Sequence, residues 1–174
     1  MLDTGKILND VLQKHHDSDK WVGAPFEGIK RLSNTKVGRV GQDFIEELCN
    51  VLGIPFEFPE NPKGVRKNQS PWDIKVGDMT FELKTATEDT RGYFQFNHIR
   101  YHREYDALLC LGIAPARIMF HAWTKADVTT NKAGTLVSME KGANATHKLT
   151  KKPDSLLDIS GFEDHILSLV TDPR

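Results

Sequence analysis

The stretch Ser70-Pro71-Trp72-Asp73-Ile74-Lys75-Val76-Gly77-Asp78-Met79-Thr80-Phe81-Glu82-Leu83-Lys84-Thr85 decides how this chain reads. Trp72 to Val76 alternates apolar and polar side chains, the period of a half-buried strand. Gly77-Asp78 is a turn signal, and Met79 to Thr85 alternates again. On this second strand Met79, Phe81 and Leu83 face one side, and Thr80, Glu82 and Lys84 the other. Glu82 and Lys84 therefore emerge together, about 7 Å apart. A hairpin turning at Gly77-Asp78 carries Asp73 back beside Glu82 or Lys84, to within a register step. Two carboxylates and a lysine then share one small site.

Hard oxygen ligands of this kind suit Mg²⁺, which binds through one or two carboxylates and leaves room for water and phosphate. A metal held there would lower the pKa of a bound water and neutralise charge growing on phosphoryl oxygens. Lys84 would orient the attacking water and stabilise the same charge. The spacing alone fits equally a surface hairpin with an exposed Glu/Lys pair, which is nearly neutral in energy.

Outward from the hairpin, the chain reads as alternating helices and strands. Thr4 to about His16 has the stripe of an amphipathic helix, with Ile7, Leu8, Val11 and Leu12 on one face. Residues 17 to 34 read as loop with a short helical turn. A second helix is expected from about Lys36 to Leu52, capped by Ser33, Asn34 or Thr35 and stopped by Gly53. Phe56-Glu57-Phe58 reads as a short strand ending at Pro59, followed by a polar loop from Glu60 to Ser70. After the hairpin, a third helix is expected near Phe96 to Tyr105. Strands at about Asp106 to Gly112 and Arg117 to Trp123 then pair across Ala114-Pro115. A strand near Thr146 to Leu149 and a helix near Phe162 to Val170 complete the reading. There is no internal repeat and no low-complexity segment.

Length and composition bound the function. The 174 residues fit one domain with a single sizeable core. Charged residues make up 27% of the chain, but the net charge is only -1, so any affinity for nucleic acid must come from a local basic cleft. Cys49 and Cys110 lie in apolar stretches and read as reduced core thiols, with no CxxC pair. No signal peptide and no apolar run near 18 residues is evident, so the expected location is cytoplasmic, with no membrane partner. His15, His16 and His121 have no partners at zinc-ligand spacing, and Trp21, Trp72 and Trp123 read as core anchors.

Pro71-Trp72-Asp73 followed by Glu82-Leu83-Lys84 resembles the signature of the PD-(D/E)XK nuclease superfamily, with Trp72 inserted between the proline and the acid. The surrounding order of elements resembles the αβββαβ core of that superfamily, over roughly residues 33 to 124. The resemblance implies an α/β, restriction-endonuclease-like fold with a central mixed sheet flanked by helices, in a single nuclease domain spanning residues 1 to 174. It implies that Asp73 and Glu82 are metal ligands, that the Leu83 carbonyl completes the shell, and that Lys84 is the catalytic lysine. Mg²⁺ is the expected cofactor, with Mn²⁺ able to substitute. The expected reaction is in-line attack of activated water on a DNA phosphodiester, leaving 5′-phosphate and 3′-hydroxyl ends.

Members of the superfamily often place a glutamate directly after a glycine on the first core helix. Here Gln42 follows Gly41, and a glutamine can hold a water but adds no charge. Glu46, four residues on and on the same face, is the next candidate, and Glu47 the third. Gly38 and Gly41 read as packing positions, since no GxxxxGK[ST] is present.

Three groups are candidates for DNA contact. Lys63, Arg66, Lys67, Asn68 and Gln69 lie on the loop before the catalytic strand. Thr85, Thr87, Arg91, Gln95, Asn97, His98 and Arg100 follow the lysine. Asn144, His147, Lys148, Lys151 and Lys152 form a basic stretch near the C-terminus. The function expected from the resemblance is that of a type II restriction endonuclease, acting as a homodimer if both strands are cut, with a separately encoded DNA methyltransferase as a possible cognate partner. A nicking or junction-resolving repair nuclease is the nearest rival. A catalytically inactive DNA-binding module of the same fold, or a scaffold bearing the motif by chance, are the alternatives from other classes.

Overall fold

The computed structural model describes residues 3–14, 19–67 and 69–172. Among these residues the chain forms a mixed α/β fold of four helices, a six-stranded mixed sheet and a three-stranded antiparallel sheet. The helices are α1 (Thr4–Lys14), α2 (Asn34–Leu52), α3 (Lys125–Thr129) and α4 (Phe162–Thr171). The strands are β1 (Phe56–Glu57), β2 (Ile74–Val76), β3 (Met79–Thr87), β4 (Phe94–Ile99), β5 (Ala107–Ile113), β6 (Ile118–Thr124), β7 (Leu136–Ser138), β8 (His147–Lys151) and β9 (Leu157–Asp158). The large sheet runs β1-β2-β3-β5-β6-β9, and the small one β4-β8-β7.

The hairpin forms as its alternation dictates. Val76 pairs with Met79 and Ile74 with Phe81, leaving Gly77-Asp78 as a two-residue turn. Gly77 has φ +57°, the positive value that such a turn asks of its first residue and that glycine adopts without strain. Next to β3 lies β5, paired in parallel with Glu82 opposite Leu108 and Lys84 opposite Cys110. All seven residues of β5 are buried, because it is central and both its faces are covered.

Those faces are covered differently. On one, Phe81, Leu83, Leu109, Leu111 and Phe120 pack with Ile45 and Cys49 of α2 and Phe162 and Ile166 of α4. On the other, Leu108, Cys110, Met119 and Trp123 pack with Phe94, Phe96, Ile99 and Leu149 of the small sheet and Val128 of α3. The expectation of a sheet flanked by helices therefore holds for one face, while the other is covered mainly by a second sheet.

The expected helix at Phe96 to Tyr105 is corrected. That segment begins with the end of β4, which pairs antiparallel with β8, and continues as a turn. The physical reason is visible in Phe94-Gln95-Phe96, where both phenylalanines are fully buried and Gln95 between them is not. That is a period of two, and the ladder irregularity after Phe96, with His98 at φ +58°, returns Ile99 to the core. As a result the connection from β3 to the parallel β5 runs through a strand of the small sheet.

Helix α2 starts where the sequence signals it. The Ser33 hydroxyl accepts from the Lys36 N–H, and the helix ends at Gly53. We expect Ser33→Ala to lower stability by about 1 kcal/mol, read as a shifted urea midpoint with unchanged slope. Helix α1 forms, but its apolar stripe is uncovered, with Leu8 58% exposed. The last expected residues of that helix, His15 and His16, lie outside the described residues. His121 is half-buried, stacked on Trp123 and 4.8 Å from the His165 ring. Burial and the neighbouring imidazole lower its pKa to about 4. Cys49 and Cys110 are buried free thiols. No described helix is long and apolar enough to cross a membrane.

Candidate active site

Asp73 sits immediately before β2, at the point where the two strands of the hairpin part. Its N–H still donates to the Phe81 carbonyl, at 2.8 Å. Its side chain then takes over as acceptor, with Oδ2 receiving the Leu83 N–H at 2.8 Å. Glu82 and Lys84 project from the same side of β3, as alternation requires, and form an ion pair of 2.8 Å between Lys84 Nζ and Glu82 Oε1. The second carboxylate oxygen, Glu82 Oε2, accepts from the Arg100 N–H at 3.3 Å. Glu82 is only 4% exposed, so this is a buried charge with two hydrogen-bonded partners rather than a surface pair.

These side chains open onto one cleft of about 280 Å³. Gln42 of α2 lines it together with Asp73, Glu82 and Lys84, and so do Arg66, Lys67, Gln69, Ser70, Arg100 and Arg103. Five cationic side chains thus surround two carboxylates in a chain whose net charge is -1. Such a concentration of positive charge attracts polyanions locally.

The Asp73 carboxyl is held above the ordinary carboxylate range, chiefly because it is buried. The Leu83 N–H, Lys84 and Arg100 pull it back down, while the charge on Glu82 pushes it further up. A cation between the two acids would relieve both burial and repulsion. The oxygen donors that line the cleft, two carboxylates and the Gln42 amide, are hard, a set that suits Mg²⁺. Among the described residues no group of three or more His, Cys, Asp and Glu side chains gathers at one point.

Of the three helix candidates, only Gln42 lines the cleft. Glu46 is instead ion-paired with Arg66, whose guanidinium lies over the Phe58 ring. Glu47 is exposed. We expect Glu46→Ala to lower stability by about 1–2 kcal/mol through loss of this partly buried pair, while leaving any cleavage rate within tenfold. A denaturant titration beside a plasmid-nicking assay would separate the two effects.

The first DNA-contact group is divided. Arg66, Lys67 and Gln69 line the cleft, Lys63 is on an exposed turn, and Asn68 lies outside the described residues. In the second group, Thr85, Thr87, Gln95, Asn97 and His98 border an adjoining cleft that shares Lys84 with the first. Arg91 is exposed near the Tyr93 ring, and Arg100 is in the carboxylate cleft. In the third, Lys151 points inward, donating to the Ala133 carbonyl at 2.7 Å over the Trp123 ring. Lys152 and Asn144 are exposed, Lys148 is half-buried, and His147 stands against Tyr101.

Two residues of this neighbourhood carried no sequence signal. Arg103 walls the cleft and donates to the Ser70 carbonyl at 3.0 Å, fastening the turn after β4 to the loop before Asp73. Tyr105 is buried beside Glu82, and its burial, with the Glu82 charge adding to it, raises the phenol pKa. Its hydroxyl makes no hydrogen bond of good geometry. Both lie in the segment expected to be a helix, where no local periodicity points at a site.

The chain matches no protein-family model, and a search of curated proteins finds no match.

Proposed function

We propose that this protein is a divalent-metal-dependent endodeoxyribonuclease. The observation that carries the reading is the convergence of Asp73, Glu82 and Lys84, from adjoining strands, in a cleft ringed by cationic side chains. The order α2, β1, β2, β3 and then β5 parallel to β3 supports a restriction-endonuclease-like core, although β4 stands where the αβββαβ pattern has its second helix. Asp73 and Glu82 would hold Mg²⁺, with Mn²⁺ as substitute, and the Leu83 carbonyl would complete the shell. Bound there, the ion supplies positive charge that activates water and offsets charge on the phosphoryl oxygens.

The chain's own residues do the rest. Lys84, fixed by Glu82, presents an ammonium to the attacking water and to the phosphate. Arg100 and Arg103 screen the phosphodiester and hold its strand. Gln42 can orient water with its amide. Within this class a type II restriction endonuclease is the first choice, with cytoplasmic action, a homodimer for double-strand cutting and a cognate DNA methyltransferase. A nicking or junction-resolving nuclease is the second. The binding-only alternative draws on one observation, that Gln42 rather than an acid faces the cleft.

The test is digestion of methylated and unmethylated supercoiled plasmid with Mg²⁺, followed by sequencing of the ends. Linear or nicked product with 5′-phosphates is the expected result. Intact plasmid under all divalent cations, with retained gel shifts, would leave a DNA-binding module.

A further inference from the structure

The cleft adjoining the carboxylate site follows an open sheet edge. The hairpin pairs β2 with β3 only from Met79 to Phe81, so no strand lies against that edge of β3 beyond Phe81. Asp73 takes the first main-chain donor there, the Leu83 N–H. Alternation turns the N–H and C=O of Thr85 and Thr87 to the same edge, because β5 occupies the other. Beside them is a slot of about 450 Å³, bordered by Asn34 and Gly38 of α2 and by Asn97 and His98 of β4. Lys84 lines both this slot and the carboxylate cleft, so the two spaces meet at the lysine.

The β4 side of the slot is shaped by a bulge. Between the pairs Phe96–Leu149 and Ile99–His147, β4 has two residues, Asn97 and His98, where β8 has one, Lys148. A bulge of this kind re-aims a side chain out of the ladder. His98 is held there, with Nδ1 3.3 Å from the Thr146 hydroxyl. Asn97 is exposed, and among the described residues nothing hydrogen-bonds its amide.

The charges that line the slot are already engaged. Asp89 Oδ1 accepts from the Arg91 and Tyr93 N–H groups, and Oδ2 from the Gln95 amide, each at 2.9 Å. Lys84 is paired with Glu82. What remains is neutral, with amide and main-chain donors and acceptors side by side. A phosphate calls for donors and positive charge, which the first cleft supplies. A base edge presents donors and acceptors together, which the slot matches. We propose that this slot reads base edges on one side of the scissile phosphate, with Asn97 setting a preference for adenine, an inference that rests on the nuclease reading. An asparagine amide meets adenine through both its atoms, accepting from N6 and donating to N7.

The probe is a duplex oligonucleotide library with a randomised centre, bound without divalent metal by the parent protein, Asn97→Ala and Asn97→Asp. Bound DNA is recovered from a gel shift and sequenced, and the preferred duplex is then digested with Mg²⁺ and its ends sequenced. The parent is expected to select adenine at one position on one side of the cut. Asn97→Ala is expected to reduce that selection about tenfold or more, leaving the other selected positions as they were. Asn97→Asp, which keeps the acceptor and loses the donor, is expected to shift the preference towards cytosine. Identical selected sequences from parent and Asn97→Ala overturn the proposal, as does a uniform loss of affinity with no change in base preference. So does a parent that binds no duplex. The digestion keeps the two readings apart. A parent that cuts but shows no Asn97-dependent base removes the slot alone. One that selects adenine through Asn97 yet never cuts removes the nuclease alone.

Discussion

Replacing Asp73 by Asn is expected to lower Mg²⁺-dependent plasmid cleavage by on the order of 10³-fold or more, without unfolding the protein. The loss follows from removing one of two carboxylates in the cleft. The survival of the fold follows from burial. For an acid whose folded-state pKa is raised, as burial raises that of Asp73, the folded chain holds the proton to higher pH than the unfolded chain. Stability from this group therefore falls as pH rises through the unfolded value of about 3.9 towards the folded one, and the penalty stays in full above it. Asparagine removes the penalty, so the metal-free variant should melt at or above the parent temperature at neutral pH. Mg²⁺ should raise the melting temperature of the parent and not of the variant. A variant that cuts like the parent ends the nuclease reading.

Lys84→Ala is expected to be as inactive, but it is the poorer test of mechanism. Glu82 is buried and ion-paired with Lys84, so removing the lysine strands a charge. Loss of one partner from such a pair costs about 3 kcal/mol. Far-ultraviolet circular dichroism and a melting curve must therefore accompany its activity assay.

Gly41→Ala is expected to cost about 3 kcal/mol, a drop in melting temperature of roughly 6–12 °C. A Cβ at position 41 would stand 1.9 Å from Thr85 Oγ1 and 2.8 Å from Thr85 Cβ and Cγ2. Those atoms belong to β3, which cannot retreat because β2 and β5 are paired along its two edges and the small sheet covers the face of the large sheet away from α2. Helix α2 would have to lift instead, carrying Gln42 away from the cleft it lines. The variant should thus lose activity as well as stability. Thr85→Gly removes all three colliding atoms, so the double variant should recover stability relative to Gly41→Ala. If Gly41→Ala melts with the parent, the close packing of α2 on β3 is not as described.

How much was legible from the sequence depended on whether the signal was local. The hairpin, with its turn at Gly77-Asp78, was legible because strand alternation and turn chemistry lie within sixteen residues. The cap at Ser33 and the stop at Gly53 were legible for the same reason. The strand at Phe94–Ile99 was open to misreading, because its period of two spans only three residues before the irregularity at His98. What identifies it as a strand is β8, some fifty residues on.

The candidate site divides along the same line. The sequence by itself determined that Glu82 and Lys84 share a face and that a turn returns Asp73 to them, because strand geometry leaves few alternatives once the register is set. Only the tertiary structure decided which helix residue joins them. Gln42 and Glu46 lie on one face of α2, and the difference between them is Arg66, a residue of the loop before β2 that claims Glu46 for itself. Only the tertiary structure, too, placed Arg103 and Tyr105 around the carboxylates, since their positions depend on where the β4 turn packs against the Ser70 loop. Side-chain direction along a strand is fixed by local geometry, whereas which elements approach each other is fixed by burial of surfaces distant in the chain.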